Sequence, residues 1–336
     1  MGVFSSRRDR DGGFQPSLMH RLLRPMASGN TINGLGEPAK RRPTPIYHHK
    51  AVKVVHERLQ NFFYLRLLPN RRYWPSMRDQ ARLEKRPPAP ISDEKSDSGP
   101  SANATAIKAF ALANGADIVG ITAMRDEYVF EGYDTYPNYP SIVMLGVRMD
   151  HAKLMRIVDR GVDSIGGAHI IDVYNHGTHT ARRLADHIRG MGFTAEGNCG
   201  PMAGAISLIP PALAAGLGEL GKHGSIINRE LGANFRLAYV LTDMPLAQDG
   251  ADHFGVDEFC ASCQLCRRNC PPDAIYDAKQ WVRGEKKWYV DFDKCVAYFN
   301  DSQGCGICLA VCPWSRPGVG PKLAQKMLKK QALAAE

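Results

Sequence analysis

The sequence predicts an α/β core followed by a smaller, ferredoxin-like domain near the C-terminus. Three observations carry this. Eight cysteines fall in two runs inside the last quarter of the chain. Upstream of them, short apolar runs alternate with amphipathic segments at helical spacing, the pattern of helices packed on a sheet. The 336 residues are 44% hydrophobic, enough for one or two domains with their own cores.

The core elements follow in order. Residues 48–68 place apolar groups at helical spacing, and Pro69 ends the run. Residues 86–101 hold prolines, then charges, then small polar groups, and read as a linker. Asn103 is expected to cap a helix reaching Asn114. Two apolar strands follow, ADIVGITAM and SIVMLGVRM, separated by the turn-rich EGYDTYPNYP. A longer helix is expected from Ile170 to Met191, with Tyr174, Thr178, Ala181, Ala185 and Ile188 on one face and Gly192 as its stop. Residues 203–215 read as an apolar helix kinked at Pro210 and Pro211, and NFRLAYVLTDMPL as a buried strand. GLGELG resembles half of a dinucleotide fingerprint, yet it precedes a strand and opens no βαβ unit, which excludes a Rossmann reading.

The cysteines carry the chemistry. Cys260, Cys263, Cys266 and Cys270, followed by Pro271, read C-x2-C-x2-C-x3-C-P, the spacing of a two-cluster bacterial ferredoxin. Cys295, Cys305, Cys308 and Cys312, followed by Pro313, keep the last three positions but move the first upstream. Three cysteines on a tight loop converge on three iron corners of a cubane. The fourth starts the next helix, points away and ligates the other cluster. The spacing therefore assigns Cys260, Cys263, Cys266 and Cys312 to one [4Fe-4S] cluster, and Cys295, Cys305, Cys308 and Cys270 to the other. Structural zinc needs neither a third closely spaced cysteine nor the paired C-P ending. A disulfide framework does not suit a chain read as having no secretory signal.

The charge is uneven. Residues 1–90 carry 18 Lys and Arg against 6 Asp and Glu, and the remainder 25 against 28. The basic N-terminal segment is expected to be a solvated arm, or to meet an acidic partner; a nucleic-acid partner is not expected. Arg7 and Arg8 stand in SSRRDRDGG without the apolar run an export signal needs, and no stretch of about 18 apolar residues exists. The expected setting is cytoplasmic, with no membrane partner.

Several segments together resemble a known family. IRGMGF, then GN, AGLGELGKHG, LTDMPL, the first cysteine run and GCGICLAVCPW occur in the order of cobalamin-dependent reductive dehalogenases, and of the related epoxyqueuosine reductase. The resemblance implies a nitroreductase-like cobalamin-binding α/β core at residues 102–250, after a basic N-terminal extension and linker at 1–101. A two-[4Fe-4S] ferredoxin-like domain at 251–317 and a basic C-terminal helix at 318–336 would complete the chain. It implies two [4Fe-4S] clusters and a corrinoid held base-off, with electrons passed through the clusters to cobalt. It implies a small organic, halogenated substrate whose carbon–halogen bond becomes carbon–hydrogen, and an external electron donor such as a ferredoxin or flavin reductase. It also implies site residues: Tyr174 as proton donor, Lys222 as the cation that lowers its pKa, and Asn198 beside the substrate. Gly216, Gly218, Gly221 and His223 would contact the cofactor.

Read by themselves, Tyr174 is also a core tyrosine and Lys222 a helix-end cation. DVYNHGTHT offers only Asp172 where epoxyqueuosine reductases carry an acid, and Phe299 stands where dehalogenases often have Trp. Two alternatives remain: an epoxyqueuosine-reductase-like reduction of a non-halogenated substrate, and a pure electron-transfer iron–sulfur protein.

Overall fold

A four-stranded sheet forms the centre of the α/β core. The computed structural model describes residues 3, 7–8, 14–49, 51–160, 163–199 and 204–335. Four strands, β1 (Ile118–Ala123), β2 (Ser141–Arg148), β3 (Ala195–Cys199) and β4 (Phe235–Thr242), pair in the order β1-β2-β4-β3. All three pairings are antiparallel. Cys199, the ninth cysteine, has its side chain outside the described residues.

The central strands are covered on both faces, and this is why they read as continuous apolar runs. Side chains alternate across a strand. Val143, Leu145, Ala238 and Val240 therefore join one cluster with Ile107, Ala111, Leu184 and Ile188. Ile142, Met144, Tyr239 and Leu241 join another with Ile206, Leu217, Ile226 and Leu231. Each fully buried aliphatic side chain contributes roughly 1.5–3 kcal/mol.

Eight helices matter for the site: α1 (Glu57–Leu67), α2 (Trp74–Lys85), α3 (Pro100–Ala113), α4 (His151–Arg160), α5 (Ser164–Gly190), α6 (Val256–Ser262), α7 (Phe292–Asp301) and α8 (Gly320–Ala335). The long helix α5 starts earlier than its apolar stripe predicts. Asp163 caps it, accepting from the Ile165 and Gly166 amides at 2.9 Å. The expected helix at 203–215 shortens to Ile209–Ala214. Pro210 and Pro211 fall in its first turn, where a missing N–H costs nothing, so they start the helix and do not kink it.

The N-terminal segment is a strap, not a free arm. The Ser17 amide and hydroxyl donate to Asp301 at 2.8 and 2.6 Å. The Ser28 hydroxyl and the Gly29 amide donate to Asp293 at 2.5 and 2.8 Å. The Tyr47 hydroxyl donates to Asn300 at 3.0 Å. All three acceptors lie on α7, inside the cysteine-rich domain. The expected linker also lies against the core. Ala89 donates to Asp186, and the amides of Ser92 and Ser96 donate to the carbonyls of Arg189 and Met191.

The cysteine-rich domain shares its core with the sheet domain. Trp314, 1% exposed, packs edge-on to Phe254 and Phe259. Val147, Met149, Leu154, Ile157 and Val173 join the same cluster from the α/β side. Helix α8 closes it with Ala324 and Met327.

Candidate functional site

The eight cluster cysteines carry no disulfide, and they separate into two groups. Cys312 feels the charges of Cys260, Cys266 and Cys263. Cys308 feels those of Cys305, Cys295 and Cys270 first, and of Cys266 last. These are the crossed sets the spacing predicts. Burial pushes the thiols up: Cys260, Cys295 and Cys312 to about 12, Cys266 and Cys305 to about 11. Such groups become thiolates when a bound metal supplies the compensating charge. Among the described residues no three ligand side chains close around a single ion.

A cavity of 960 Å³ lies between the strap, α5 and the second thiol group. Gly167, Ile170, Ile171 and Tyr174 line it at helical spacing along one face of α5. Gly167 is required there, because a Cβ would sit 2.4 Å from the Tyr73 hydroxyl. Opposite stand Phe63, Phe299 and Cys305. Phe63 and Phe299 stack with centroids 4.9 Å apart. The cavity wall thus contains Cys305, a thiol of the second set.

Two histidines come from the strap, His48 half-buried and His49 buried. His48 has a positive φ of 61° and meets the Tyr64 hydroxyl at 2.8 Å. His49 meets Tyr133 at 3.2 Å, and its backbone is held by Gln60 on both sides. Desolvation lowers His48 to about 3 and His49 to about 4, so both rings are neutral near pH 7. Desolvation also raises the Tyr64 hydroxyl, with the Tyr174 charge adding to the effect.

The cation beside Tyr174 is Arg236. Its guanidinium carbon lies 5.3 Å from the Tyr174 ring centroid, and its Nε is buried with no hydrogen-bond partner. Both residues line the cavity. Lys222, the expected partner, is elsewhere. Its ammonium lies 4.8 Å from the Trp288 ring centroid, and its amide donates to Cys260 Sγ at 3.5 Å. The sequence did hold a signal for Arg236: it is the one cation in the buried run FRLAYVLT of β4.

Other expected residues also move away from this cavity. Asn198 lies on edge strand β3 and lines a separate cavity of 520 Å³ with Arg182, Arg189 and Tyr239. Gly216, Gly218, Gly221 and His223 do not line the large cavity. A Cβ on Gly216 would sit 2.5 Å from the Gly250 carbonyl oxygen, and one on Gly218 2.1 Å from that of Ile227. Gly221 faces His223 and Ile227. The His223 Nδ1 accepts from the Ser225 amide at 3.2 Å, and desolvation holds the ring at about 4. These residues fold the loop onto its own chain and do not fit as a cofactor cradle. Glu219 of the same loop accepts from the Phe254 and Val256 amides at 2.6 and 3.1 Å, at the start of α6. The loop therefore fastens the helix that carries Cys260. Asp172 accepts from the Ser76 hydroxyl and does not line the cavity.

A model described as a 4Fe-4S dicluster domain matches residues 259–315. A tetrachloroethene reductive dehalogenase of Sulfurospirillum multivorans is 37% identical over 145 residues, 40% of this chain and 28% of that protein. Over that stretch the chain is similar in sequence to the reductive dehalogenases. The structure of a catabolic reductive dehalogenase, NpRdhA, in complex with 3-bromo-4-hydroxybenzoic acid superposes with a TM-score of 0.68 at 28% identity. That match covers 78% of this chain and 39% of NpRdhA. An epoxyqueuosine reductase of Leadbetterella byssophila is 33% identical over 118 residues, 30% of this chain and 34% of that protein. The chain thus spans well under half the length of these relatives. No helix among its described residues is long and apolar enough to cross a membrane.

Proposed function

We propose that this chain forms the reducing core of a corrinoid-dependent reductive dehalogenase, which replaces a carbon–halogen bond by carbon–hydrogen. The observation that carries the reading is one cavity wall that holds Tyr174, Arg236 and the cluster ligand Cys305 together. A site of this kind brings an electron source and a proton source to the same space. The overall change consumes two electrons and one proton; halide leaves, and the carbon gains hydrogen. An external donor supplies the electrons, one at a time, through the two clusters.

The cavity fits a large, partly apolar group. Phe63, Ile170, Ile171 and Phe299 offer apolar walls, and Gln60, His48 and Gln303 polar edges. Bound cobalamin would supply there the reducing cobalt centre, which is the difficult chemistry of the reaction. The residues of this chain do the rest. Tyr174 holds the proton at its hydroxyl. Arg236, over the ring, stabilises the phenolate left after transfer. The aromatic walls exclude water, which strengthens that interaction. The neutral His48 holds Tyr64 in place without adding a charge.

Anaerobic reconstitution with iron, sulfide and cobalamin tests the reading. Corrinoid absorption bands should accompany the purified protein, and a panel of haloaromatics should release halide. A protein that holds both clusters but never retains corrinoid would leave only the electron-transfer reading. Retained corrinoid without halide from any haloaromatic would turn the proposal to a non-halogenated substrate. The Tyr174→Phe variant should keep its cofactors and lose activity on the order of a hundred- to ten-thousand-fold. Full turnover in that variant would remove Tyr174 as the proton donor.

A further inference from the structure

Lys222 is 1% exposed, the only Lys or Arg so deeply buried among the described residues. Its ammonium has no hydrogen-bond partner. The nearest carboxylate, Asp277, is 3.7 Å away and 59% exposed, too distant for a hydrogen bond and well solvated. Beneath the ammonium lies the Trp288 ring. A buried cation with so little compensation is costly unless another negative charge is close.

Thiolates of the first set, formed when a cluster binds them, would supply that charge. The Lys222 amide already donates to Cys260 Sγ. Cys260 and Cys266 both lie in range of the Lys222 charge. None of Cys260, Cys263, Cys266 and Cys312 lines the large cavity, whereas Cys305 of the other set does. The set beside Lys222 is therefore the one that does not border the cavity.

We propose that Lys222 is a tuning residue that raises the reduction potential of the cluster held by Cys260, Cys263, Cys266 and Cys312. This rests on the reading of the two thiol sets as [4Fe-4S] sites, and not on dehalogenation. One electron from an external low-potential carrier reduces that cluster; no bond breaks and no proton moves. The cluster becomes more negative by one charge. A fixed cation in a poorly solvated site stabilises the reduced form more than the oxidised form. That cluster then accepts electrons from a weaker donor. Asp277 works against this, because its charge partly offsets the ammonium.

The test is potentiometric titration of the reconstituted protein, followed by electron paramagnetic resonance. Two reduction steps are expected in the parent. Lys222→Met should lower the midpoint of one step and leave the other in place, and Lys222→Arg should restore it. Asp277→Asn should raise the same midpoint. Identical midpoints in parent and Lys222→Met, or equal shifts of both steps, would overturn the proposal. If Lys222→Met does not retain both clusters, the Asp277→Asn protein decides: an unmoved midpoint there overturns it as well. A parent that binds no clusters would instead sink the iron–sulfur reading beneath it.

Discussion

Lys222 and Arg236 sit close in sequence and have different neighbours. Lys222 ends a folded loop, is shut away from solvent, and faces the first thiol set through its amide and its charge. Arg236 sits on β4, half-buried, over the ring of Tyr174 in the cavity wall. Resemblance alone paired Tyr174 with Lys222. The difference between the two cations teaches that a buried positive charge is defined by the anion it meets, not by its place in a motif. On the proposed reading the anion at one end is a metal cluster, present in every redox state. At the other it would be a phenolate, formed only when a proton has been given away. The first cation would then act on an equilibrium potential and the second on a rate.

This contrast can be broken by experiment. The largest effect is expected from Cys305→Ala, which removes a ligand of the cluster beside the cavity. Halide release should be abolished and one reduction step lost, while the remaining step keeps its sensitivity to Lys222→Met. If that sensitivity disappears instead, the two ends are not separate. Arg236→Gln comes next. It should lower turnover about a hundredfold, as loss of one charge-stabilising donor does, and leave both midpoints where they were. A moved midpoint would place Arg236 in the electron path.

The smallest effect is a pH dependence at the cavity end. Burial holds His49 at about 4, below the ordinary value near 6.5. The unfolded chain therefore binds more protons than the native state between those two values. Stability should rise with pH through that window and level off above 6.5. In His49→Gln, chemical denaturation between pH 4 and 6.5 should show a shallower slope than in the parent. An unchanged slope would mean that His49 is solvated, and that the strap does not close this wall.

The elements that were legible share a property: local spacing decides them. The crossed thiol sets could be read because two- and three-residue gaps on a tight loop leave the sulfurs few places to go. Strands β1, β2 and β4 could be read because burial on both faces demands unbroken apolar runs. The face of α5 that carries Tyr174 followed from helical periodicity. What could not be read depends on partners far along the chain. Nothing in the basic leader announces that Ser17 will donate to Asp301, or that His48 and His49 will line the cavity. The glycines of GLGELGKHG signal close backbone approach without saying to what; the answer was the carbonyls of Gly250 and Ile227. Asn198 stood next to the right segment on an edge strand that faces another cavity.

The sequence by itself determined two sets of thiols, the α/β core and the helix that bears Tyr174, because each is set by contacts within a few residues. Only the tertiary structure decided which cation meets Tyr174, which thiol set touches the cavity, and that the N-terminal segment is part of the wall. Those are choices among chemically similar groups. They are made by long-range packing and hydrogen bonds, which leave no periodic trace in the chain.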